Sequence, residues 1–389
     1  MKFASLKHPR IASLAALLAC LAPRAGRAEN AVAYKYEDYH EFGGRIEVQT
    51  HAAHFEQDLG TALHLKLDGI IDAIAGATPS GVPAPSGNDK VVLSQLRPER
   101  RKAWNASLAR QFSRTRLDLG AANSRESDYV SNGWSFNTLT DFNQKNTTLL
   151  AGVAGTSDRV KVLDFEVSTD GRKRTNDVIV GVTQLLDPRT AMTFNLTWGR
   201  ARGYLTDPYK LVKKTTELLP GLFLPLTPHE NRPAEREKWI ALVALNRSFP
   251  EARGTIDASY RFYHDTFGTD AHTVDLAWFQ NLGRRFMLRP SFRFYDQSAA
   301  NFYYYTIEGT PIVPIKGPIR TQGPFYSSDF RLSAFRSYTS GLKAIWNATD
   351  ALQFDAALER YEMRGRDGVT PQSAYCAARI VTVGARFSW

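Results

Sequence analysis

Histidine is the first residue type in this chain that could do chemistry, and its spacing argues against a metal site. His51, His54 and His64 fall close together, and three imidazoles could coordinate a metal ion. Side chains alternate between the two faces of a strand, so His51 and His54, three residues apart, point in opposite directions. The motifs for covalent heme, phosphate loops, zinc proteases and nucleophile elbows are missing from the sequence. We therefore expect neither a metal nor a cofactor.

A serine nucleophile is the second possibility. Four polar residues flank one predicted turn: His264, Asp265, Asp270 and His272. They could activate a serine such as Ser259 or Ser298, but nothing in the sequence defines an oxyanion hole. The alternation that puts Ser259 on the inner face of its strand also places no histidine beside it. The pattern favours a polar hairpin tip, and we expect no catalytic residue and no enzyme.

Charged residues within alternating segments form the best-supported candidate site. If the apolar face of each strand touches lipid, nine charged side chains line a polar lumen: Lys66, Asp68, Arg116, Asp118, Asp257, Arg261, Asp275, Arg289 and Arg293. Opposite charges on neighbouring strands could pair into a network that stiffens the wall and contributes little net stability. Rings of charge could also select the solutes that pass, with several arginines favouring anions. Both interpretations require a closed barrel.

The elements that must hold these side chains are strands, because the hydrophobic pattern has a period of two. At the C-terminus, apolar residues occupy every second position: Val381, Val383, Ala385, Phe387 and Trp389. The same alternation recurs around Asp257, Arg289 and Asp355. A transmembrane barrel has an apolar outside and a polar lumen, so it tolerates charge on alternate positions. Five tryptophans near predicted strand ends are typical of interfacial girdles: Trp104, Trp134, Trp198, Trp278 and Trp346.

Sixteen strands account for the mature chain, with fourteen as the second choice. Their predicted ranges are 31–39, 45–57, 61–72, 102–112, 114–125, 132–142, 146–156, 174–186, 190–203, 236–248, 253–266, 270–281, 285–297, 329–346, 350–363 and 381–389. The first is inferred from parity, with Gly43-Gly44 as its outer turn. The long connections are 73–101, 157–173, 204–235, 298–328 and 364–378. Short periplasmic turns and long extracellular loops are typical of bacterial barrels, so the pattern indicates an all-β, transmembrane, antiparallel up-and-down β-barrel.

Two features fit this barrel less well. Pro290 falls inside a predicted strand, where its missing N–H would cost a ladder hydrogen bond. The stretch 218–228 within one long connection is unusually apolar for a loop that faces solvent. We expect that stretch to fold inward or to pack on a neighbour.

The N-terminus is predicted to be an export signal over residues 1–28, which leaves the barrel as residues 29–389. Lys2, Lys7 and Arg10 precede the apolar stretch 11–22, and small residues precede a cut before Glu29. In an alternative, a lipoprotein-like box makes Cys20 the lipidated first residue. Residues 1–28 hold five of the 49 bases and none of the 39 acids, so the net charge falls from +10 to +5 without them. That charge is too weak and scattered to indicate nucleic-acid binding.

Four residues at the C-terminus resemble the assembly signal of bacterial outer-membrane barrels: Thr382, Gly384, Phe387 and Trp389. In those proteins the terminal strand is recognised by the barrel assembly machinery. The resemblance implies that this chain uses the same machinery.

Four segments in order along the chain resemble one protein family: 203–210, 270–276, 296–303 and 326–333. They are similar to the domain of unknown function 3570 family, a group of outer-membrane barrels from Gram-negative bacteria. The resemblance runs from about Tyr34 to Trp389 and implies fold and location. It carries no activity over to this chain, so no site residue follows from it.

The sequence therefore predicts a bacterial outer-membrane barrel, and a porin-like channel that passes small polar solutes is the first functional interpretation. The alternative is a structural or partner-holding barrel, such as a sheath for a periplasmic redox protein or a component of an export system. The expected partners are outer-membrane lipid, the assembly machinery and small polar solutes. The alternative interpretation adds a periplasmic protein.

Overall fold

The computed structural model describes residues 30–83, 90–96, 98–163, 168–314 and 322–389. The predicted export signal and Cys20 lie outside these ranges. Twenty strands are present: β1 (Ala31–Glu41), β2 (Glu47–Leu59), β3 (Leu63–Ala75), β4 (Ala77–Pro83), β5 (Val91–Gln95), β6 (Glu99–Gln111), β7 (Thr115–Arg125), β8 (Tyr129–Phe142), β9 (Thr147–Leu163), β10 (Ser168–Asp187), β11 (Thr190–Gly203), β12 (Lys214–Leu219), β13 (Leu222–Leu226), β14 (Glu235–Phe249), β15 (Gly254–Asp265), β16 (Asp270–Leu282), β17 (Phe286–Gln297), β18 (Phe335–Asn347), β19 (Leu352–Gly365) and β20 (Ala377–Ser388). Three single 3-10 turns are also present: Asn143–Lys145, Phe330–Leu332 and Gln372–Ala374. Across the described ranges, no helix has the length and apolar character to cross a membrane.

Sixteen of these strands close into one antiparallel up-and-down barrel, and the sixteen-strand prediction is confirmed. Closure joins the first wall strand to the last, with Ala31 opposite Ser388. The strand inferred from parity is β1, and Gly43 and Gly44 form its outer turn with φ values of 80° and 69°. Those left-handed angles are the reason that glycine occupies both positions. The fourteen-strand alternative is wrong.

The two ends of the barrel differ in the length of their connections. At one end, turns of two to four residues join the strands, and residues 60–62 and 188–189 are examples. At the other end, four long connections cover residues 76–98, 204–234, 298–334 and 366–376. The first contains the β4–β5 hairpin and the second the β12–β13 hairpin. We refer to these as the short-turn end and the long-loop end.

One predicted long connection is wrong. Residues 157–173 were expected to be a loop, but β9 and β10 continue through most of this range and pair Lys173 with Asp158 and Gly171 with Val160. The segment is rich in charged and small polar residues, which look like a loop in sequence. Cross-strand pairing of those polar side chains extends the strands anyway, because tertiary contacts override propensity in sheets.

The register separates every wall strand into an inner and an outer row of side chains. The inner row is the one that the long loops touch, since Tyr295, Phe335 and Met363 pack against Phe330 and Tyr375 of those loops. The outer row exposes large apolar side chains such as Leu119 and Leu358, each 58% exposed. An apolar outer row and a polar inner row are the arrangement of a bilayer-spanning barrel.

Pro290 lies where one ladder is interrupted. The β16–β17 register passes from Ala277 opposite Ser291 to Gln280 opposite Leu288, and leaves two residues of each strand without a partner. Pro290 is one of the skipped residues, so its missing N–H takes no bond from that ladder. The irregularity explains how a proline is accommodated in the wall.

Candidate functional site

The inner rows of the barrel carry all nine predicted lumen residues. Lys66 and Asp68 lie on β3, Arg116 and Asp118 on β7, Asp257 and Arg261 on β15, Asp275 on β16, and Arg289 and Arg293 on β17. Matching register partners place them on the same face: Ser259 lies opposite Asp275, and Asp275 opposite Arg293. The role of these residues in solute selection remains a prediction.

Some of the nine residues pair with each other and others do not. The Nε of Arg293 lies 2.5 Å from the Asp275 carboxylate, and the Nε of Arg116 lies 3.0 Å from that of Asp118. Arg289 has its guanidinium 5.1 Å from the centre of the Phe279 ring. Among the residues that the structure describes, Asp257 and Arg261 have no ion-pair partner. The charges on the inner face of the wall are therefore only partly neutralised by ion pairs.

A cavity of about 370 Å³ lies under the long loops and is lined by four cations that sequence analysis only partly identified. They are Arg236, Lys238, Arg261 and Arg331. Tyr263, Tyr295, Gln297 and Thr269 supply polar groups, and no carboxylate belongs to the lining. We call this space the basic cavity.

Carboxylates outside the lining neutralise part of the charge of the basic cavity. Arg236 binds Asp265, whose side chain is fully buried, and the Nζ of Lys238 lies 3.0 Å from Asp177. Asp265 also accepts the hydroxyl of Tyr263 at 2.5 Å and the backbone N–H of Phe267 at 2.9 Å.

The inner wall from β6 to β11 has a different character, because small side chains dominate it. Grooves of about 240 Å³ and 180 Å³ run along this small-residue wall. Its glycines are tightly placed: a Cβ added at Gly152 would lie 2.2 Å from the Oδ1 of Asn137, and one at Gly181 would lie 2.0 Å from that of Asn195. Glycine thus lets asparagine side chains of neighbouring strands lie flat against the wall.

Buried charges connect the long loops across the mouth of the barrel. We call this group the mouth ion cluster, and it consists of Asp207, Lys210, Glu230, Arg232, Asp329 and Arg331. Arg331 lies 2.6 Å from Asp329 and 2.5 Å from Asp207, so it joins two loops. Arg232 lies 2.8 Å from Asp329 and 2.5 Å from Glu230. The Nζ of Lys210 donates to the carbonyl of Pro79 at 2.6 Å, which adds the loop of β4.

Burial shifts the ionisation of this cluster. Burial raises the pKa of Glu230 to about 7, although Arg232 opposes the shift. Burial also acts on Asp329, but Arg331, Arg232 and Lys210 outweigh it and hold the pKa of that carboxyl well below its usual range. Burial lowers the pKa of Lys210, with Asp329 acting against it. Asp329 is therefore a permanent anion at the centre of the cluster, whereas Glu230 titrates near neutral pH.

Apolar contacts reinforce the same loops. Val212, Ile307 and Tyr326 are fully buried together, and they come from two different long connections. Phe267, Phe302 and Leu332 form a second buried group beside them. These contacts are not predictable from local patterns, because they join residues far apart in the chain.

Three of the four family-like segments meet at this mouth. Segment 203–210 supplies Asp207 and Lys210, and segment 326–333 supplies Asp329 and Arg331. Segment 296–303 supplies Phe302, whose carbonyl accepts the N–H of Ser327 at 3.0 Å. The fourth segment begins β16, where the N–H of Asp270 donates to the Oγ of Ser298 at 2.8 Å. The resemblance is thus concentrated in the structure that closes the long loops together.

The apolar stretch 218–228 behaves differently from expectation. The base of its connection packs inward through Val212, but the β12–β13 hairpin leaves Leu219, Leu222 and Leu224 exposed. For these described side chains the expectation of inward folding is wrong, and packing on a neighbour stays a prediction.

The histidines and serines considered for catalysis are dispersed. His51 lies outside and contacts the hydroxyl of Tyr34 at 2.6 Å, whereas His54 lies inside and contacts Asp68 at 2.6 Å. His264 contacts Asp270 at 2.7 Å on the outer row, and the Oγ of Ser298 bonds to backbone groups instead. Within the described ranges, no cluster of three or more potential metal ligands occurs.

The terminal signal residues divide between the two faces of β20. Thr382 and Gly384 lie on the inner row opposite Glu37 and Lys35. The outward Phe387 stacks on Trp389, with ring centres 5.9 Å apart. Recognition by the assembly machinery remains a prediction.

Comparisons with known proteins agree with this architecture. A family described as "Protein of unknown function (DUF3570)" matches residues 4–374. No curated protein matches the sequence. Among solved structures, a bacterial polysaccharide outer membrane secretin is similar with a TM-score of 0.50 and 9% identity, over 93% of this chain and 98% of the other.

Two Pseudomonas aeruginosa structures show weaker similarity. OpdK, solved with vanillate, has a TM-score of 0.43 and 9% identity over 93% of this chain and 99% of its own. A ferric enterobactin receptor (PfeA) mutant has a TM-score of 0.44 and 13% identity over 88% of this chain, which spans only 54% of the receptor. At such low identity the similarity is one of fold.

Proposed function

This chain belongs to the DUF3570 family, and from the geometry of its lumen we propose that it is an outer-membrane channel that passes small polar solutes and favours anions. The observation that carries the proposal is a closed wall of sixteen strands with an apolar outer row and a polar inner row. The long-loop end would face the outside of the cell, and the short-turn end the periplasm.

The preference for anions follows from the basic cavity. Its lining has four cations and no carboxylate, and Arg261 among them has no ion-pair partner in the described ranges. Charged groups along a pore set which ions enter it. Arg236, Lys238 and Arg331 each bind a carboxylate, so Arg261 is the lining cation whose charge would act on a solute that crosses the mouth.

The mouth ion cluster would control access to this path. Its ion pairs join connection 204–234 to connection 298–334 across the mouth. We infer that the passage at that end is narrower than the barrel itself. We propose that small solutes pass between these loops and that larger ones are excluded.

Planar-bilayer recording of the purified protein tests the proposal. We expect discrete current steps and, in a potassium chloride gradient, a reversal potential that shows anion preference. Arg261→Gln should shift the reversal potential towards zero, whereas Arg379→Gln on the outer row should leave it unchanged. A folded barrel that carries no current, or one that prefers cations, would contradict the channel proposal.

A second candidate function is a barrel that holds a partner, such as a periplasmic redox protein or an export component. The specific observation in its favour is that two long connections, 204–234 and 298–334, bend across the mouth and interlock. A silent barrel in bilayers, together with loss of the protein when one periplasmic partner gene is removed, would favour this candidate.

A further inference from the structure

A row of cations follows the outside of the wall from β6 to β11, close to the long-loop end. We call it the outer cation row, and its members are Lys102, Arg125, Arg159, Arg172, Arg174 and Arg202. All six are exposed. Along each strand these six residues alternate with residues of the inner row, and each pairs with a residue of the outer row on the next strand. Their side chains therefore lie on the outer face.

The register places like charges directly opposite each other in this row. Lys102 lies opposite Arg125, Arg159 opposite Arg172, and Arg174 opposite Arg202. Side chains opposite each other on neighbouring strands are only about 5 Å apart at Cβ, and like charges there are destabilising. Such opposed cations need a counter-charge close by.

The chain itself supplies little of that counter-charge. In the described part of the chain, Lys102, Arg125, Arg172 and Arg174 form no ion pair. Arg202 is the member at the edge of the row, and its Nε lies 3.3 Å from the carboxylate of Glu235.

The opposite side of the barrel shows the contrast. Like charges also face each other there, since Arg336 lies opposite Arg364 and Arg360 opposite Arg379. Three of these four arginines have a carboxylate, and Arg360 instead lies 4.5 Å from the centre of the Phe42 ring. Arg336 lies 2.6 Å from Asp296, and Arg364 lies 2.8 Å from Glu362. Arg379 lies 3.7 Å from Asp38. Both sides therefore have opposed cations, but within the described ranges only the β6–β11 side leaves most of them without a carboxylate.

The height of the row indicates what it meets. Lys102 is two residues beyond the outward Trp104, towards the long-loop end, and Trp104 is 50% exposed. On β11, Arg200 and Arg202 follow the outward Trp198 in the same direction. Aromatic side chains mark the interface of a barrel with the bilayer, and two strand residues span about 7 Å. The outer cation row therefore lies at the level of the lipid headgroups.

We propose that the outer cation row binds the phosphate groups of the anionic glycolipid in the outer leaflet, lipopolysaccharide. A phosphate brings up to two negative charges and several acceptor oxygens, so it can bridge two opposed guanidinium groups. This function is separate from conduction, because it uses the outer face of the wall and none of the lumen residues.

Binding of purified lipopolysaccharide to the detergent-solubilised full-length barrel, followed by native mass spectrometry, tests this proposal. Each surface cation contributes about tenfold or slightly less to binding of an anionic lipid surface, so the triple variant Lys102→Gln, Arg125→Gln, Arg174→Gln should bind on the order of 100-fold more weakly. The matched control is Arg336→Gln, Arg364→Gln, Arg379→Gln, which removes the same charge from the opposite side. The control should bind lipopolysaccharide with an affinity within about twofold of that of the wild type. If the triple variant binds lipopolysaccharide as tightly as the wild type does, the proposal is overturned.

Thermal unfolding gives a second readout. Without lipid, the triple variant should melt at a higher temperature than the wild type, because the like-charge pairs are gone. The control should show a smaller rise or none, because it loses three ion pairs together with its own opposed cations. Lipopolysaccharide should raise the melting temperature of the wild type and the control but not of the triple variant.

Free pyrophosphate at the same phosphate concentration separates the lipid from a soluble phosphate. It should neither raise the melting temperature nor compete with the lipid. Equal stabilisation by pyrophosphate would overturn the assignment to lipid. If the triple variant does not fold, the single change Arg125→Gln should still weaken lipid binding several-fold, and unchanged binding by that variant would also count against the row.

Discussion

The lumen has two unlike regions, the mouth at the long-loop end and the small-residue wall below it. At the mouth, charged side chains are buried and bonded to each other across loops, with Asp329 and Glu230 almost without exposure. Along the wall from β6 to β11, glycine and other small residues leave open grooves. Buried ion pairs tolerate the loss of a partner poorly, whereas an open wall is sensitive to added volume. The two regions should therefore fail in different ways when they are changed.

The largest effect is expected at the centre of the mouth. Asp329→Ala leaves Arg331 and Arg232 without the carboxylate that both of them bind, and breaking a buried ion pair costs about 3–5 kcal/mol. We expect the loops to separate while the barrel stays folded. Limited proteolysis should cut the 298–334 connection faster, and the single-channel conductance should rise.

A matched change outside the mouth serves as a control for that experiment. Asp187→Ala, in the strand end at the opposite end of the barrel, removes one exposed carboxylate and should change neither measurement. Unchanged proteolysis in Asp329→Ala would mean that the buried ion pairs do not hold the loops together.

Added volume should disturb the wall by a smaller amount. A side chain at Gly152 would meet Asn137 and Ile179, so Gly152→Leu is expected to destabilise the barrel by about 1–3 kcal/mol and to reduce conductance. Gly69→Leu is the control, because a Cβ there meets no atom within 4 Å. Equal effects of Gly152→Leu and Gly69→Leu on urea unfolding would contradict the claim that the inner face is closely packed at Gly152 and the outer face open at Gly69.

The mouth should also respond to pH, and the sign follows from Glu230. Its pKa is raised by burial to about 7 in the folded cluster, so the closed loops hold a proton that the opened loops release. Protonated Glu230 stabilises the closed loops fully at pH values below the ordinary pKa of glutamate. This stabilisation is lost as the pH rises through about 7. Asp329 does not contribute in this window, because its lowered pKa lies further to the acid side.

We therefore expect the channel to spend more time open at pH 8 than at pH 5. The groups around Glu230 are Arg232, Ser327, Asp207 and the nearby Asp329. Glu230→Gln should remove the pH dependence of the open time while leaving the barrel folded. A channel that closes as the pH rises would contradict the assignment of this titration to Glu230.

The smallest effect is expected for an exposed pair inside the lumen. Arg293 and Asp275 are in contact but remain open to water, with side-chain exposures of 59% and 37%, so a double-mutant cycle should give about 0.2–1 kcal/mol of coupling. Arg293→Gln should nevertheless reduce the preference for anions in a reversal-potential measurement. A large coupling with no change in selectivity would mean that the inner charges mainly stiffen the wall.

The sequence predicts the wall of the molecule closely. Alternation of polar and apolar residues locates β11 at its observed bounds, Thr190–Gly203, and places Asp275 and Arg293 on one face. This succeeds because the side-chain period of a strand is local and depends only on neighbouring residues. It fails for residues 157–173, where charged residues such as Arg159 and Lys161 stand on the outer row instead of apolar ones.

The mouth could not be predicted in the same way. In the sequence, Glu230 and Arg232 look like ordinary solvated loop residues, and Asp329 and Arg331 look like the start of a strand. Nothing local distinguishes a charge that will be buried by another loop. The only signal was indirect: two of the four family-like segments contain Asp207, Asp329 and Arg331. The predicted strand 329–346 also begins later, at Phe335, because residues before it belong to the mouth.

The account depends on the polar row of the wall being inside and wet. Ser135 and Phe136 are neighbours on β8, one on each row, and the buried Cys376 is the only cysteine of the described chain. Ser135→Cys and Phe136→Cys should be compared in proteoliposomes with a charged, membrane-impermeant thiol reagent. We predict rapid labelling at position 135 and little at position 136, and the opposite order would contradict the barrel orientation on which the channel proposal rests.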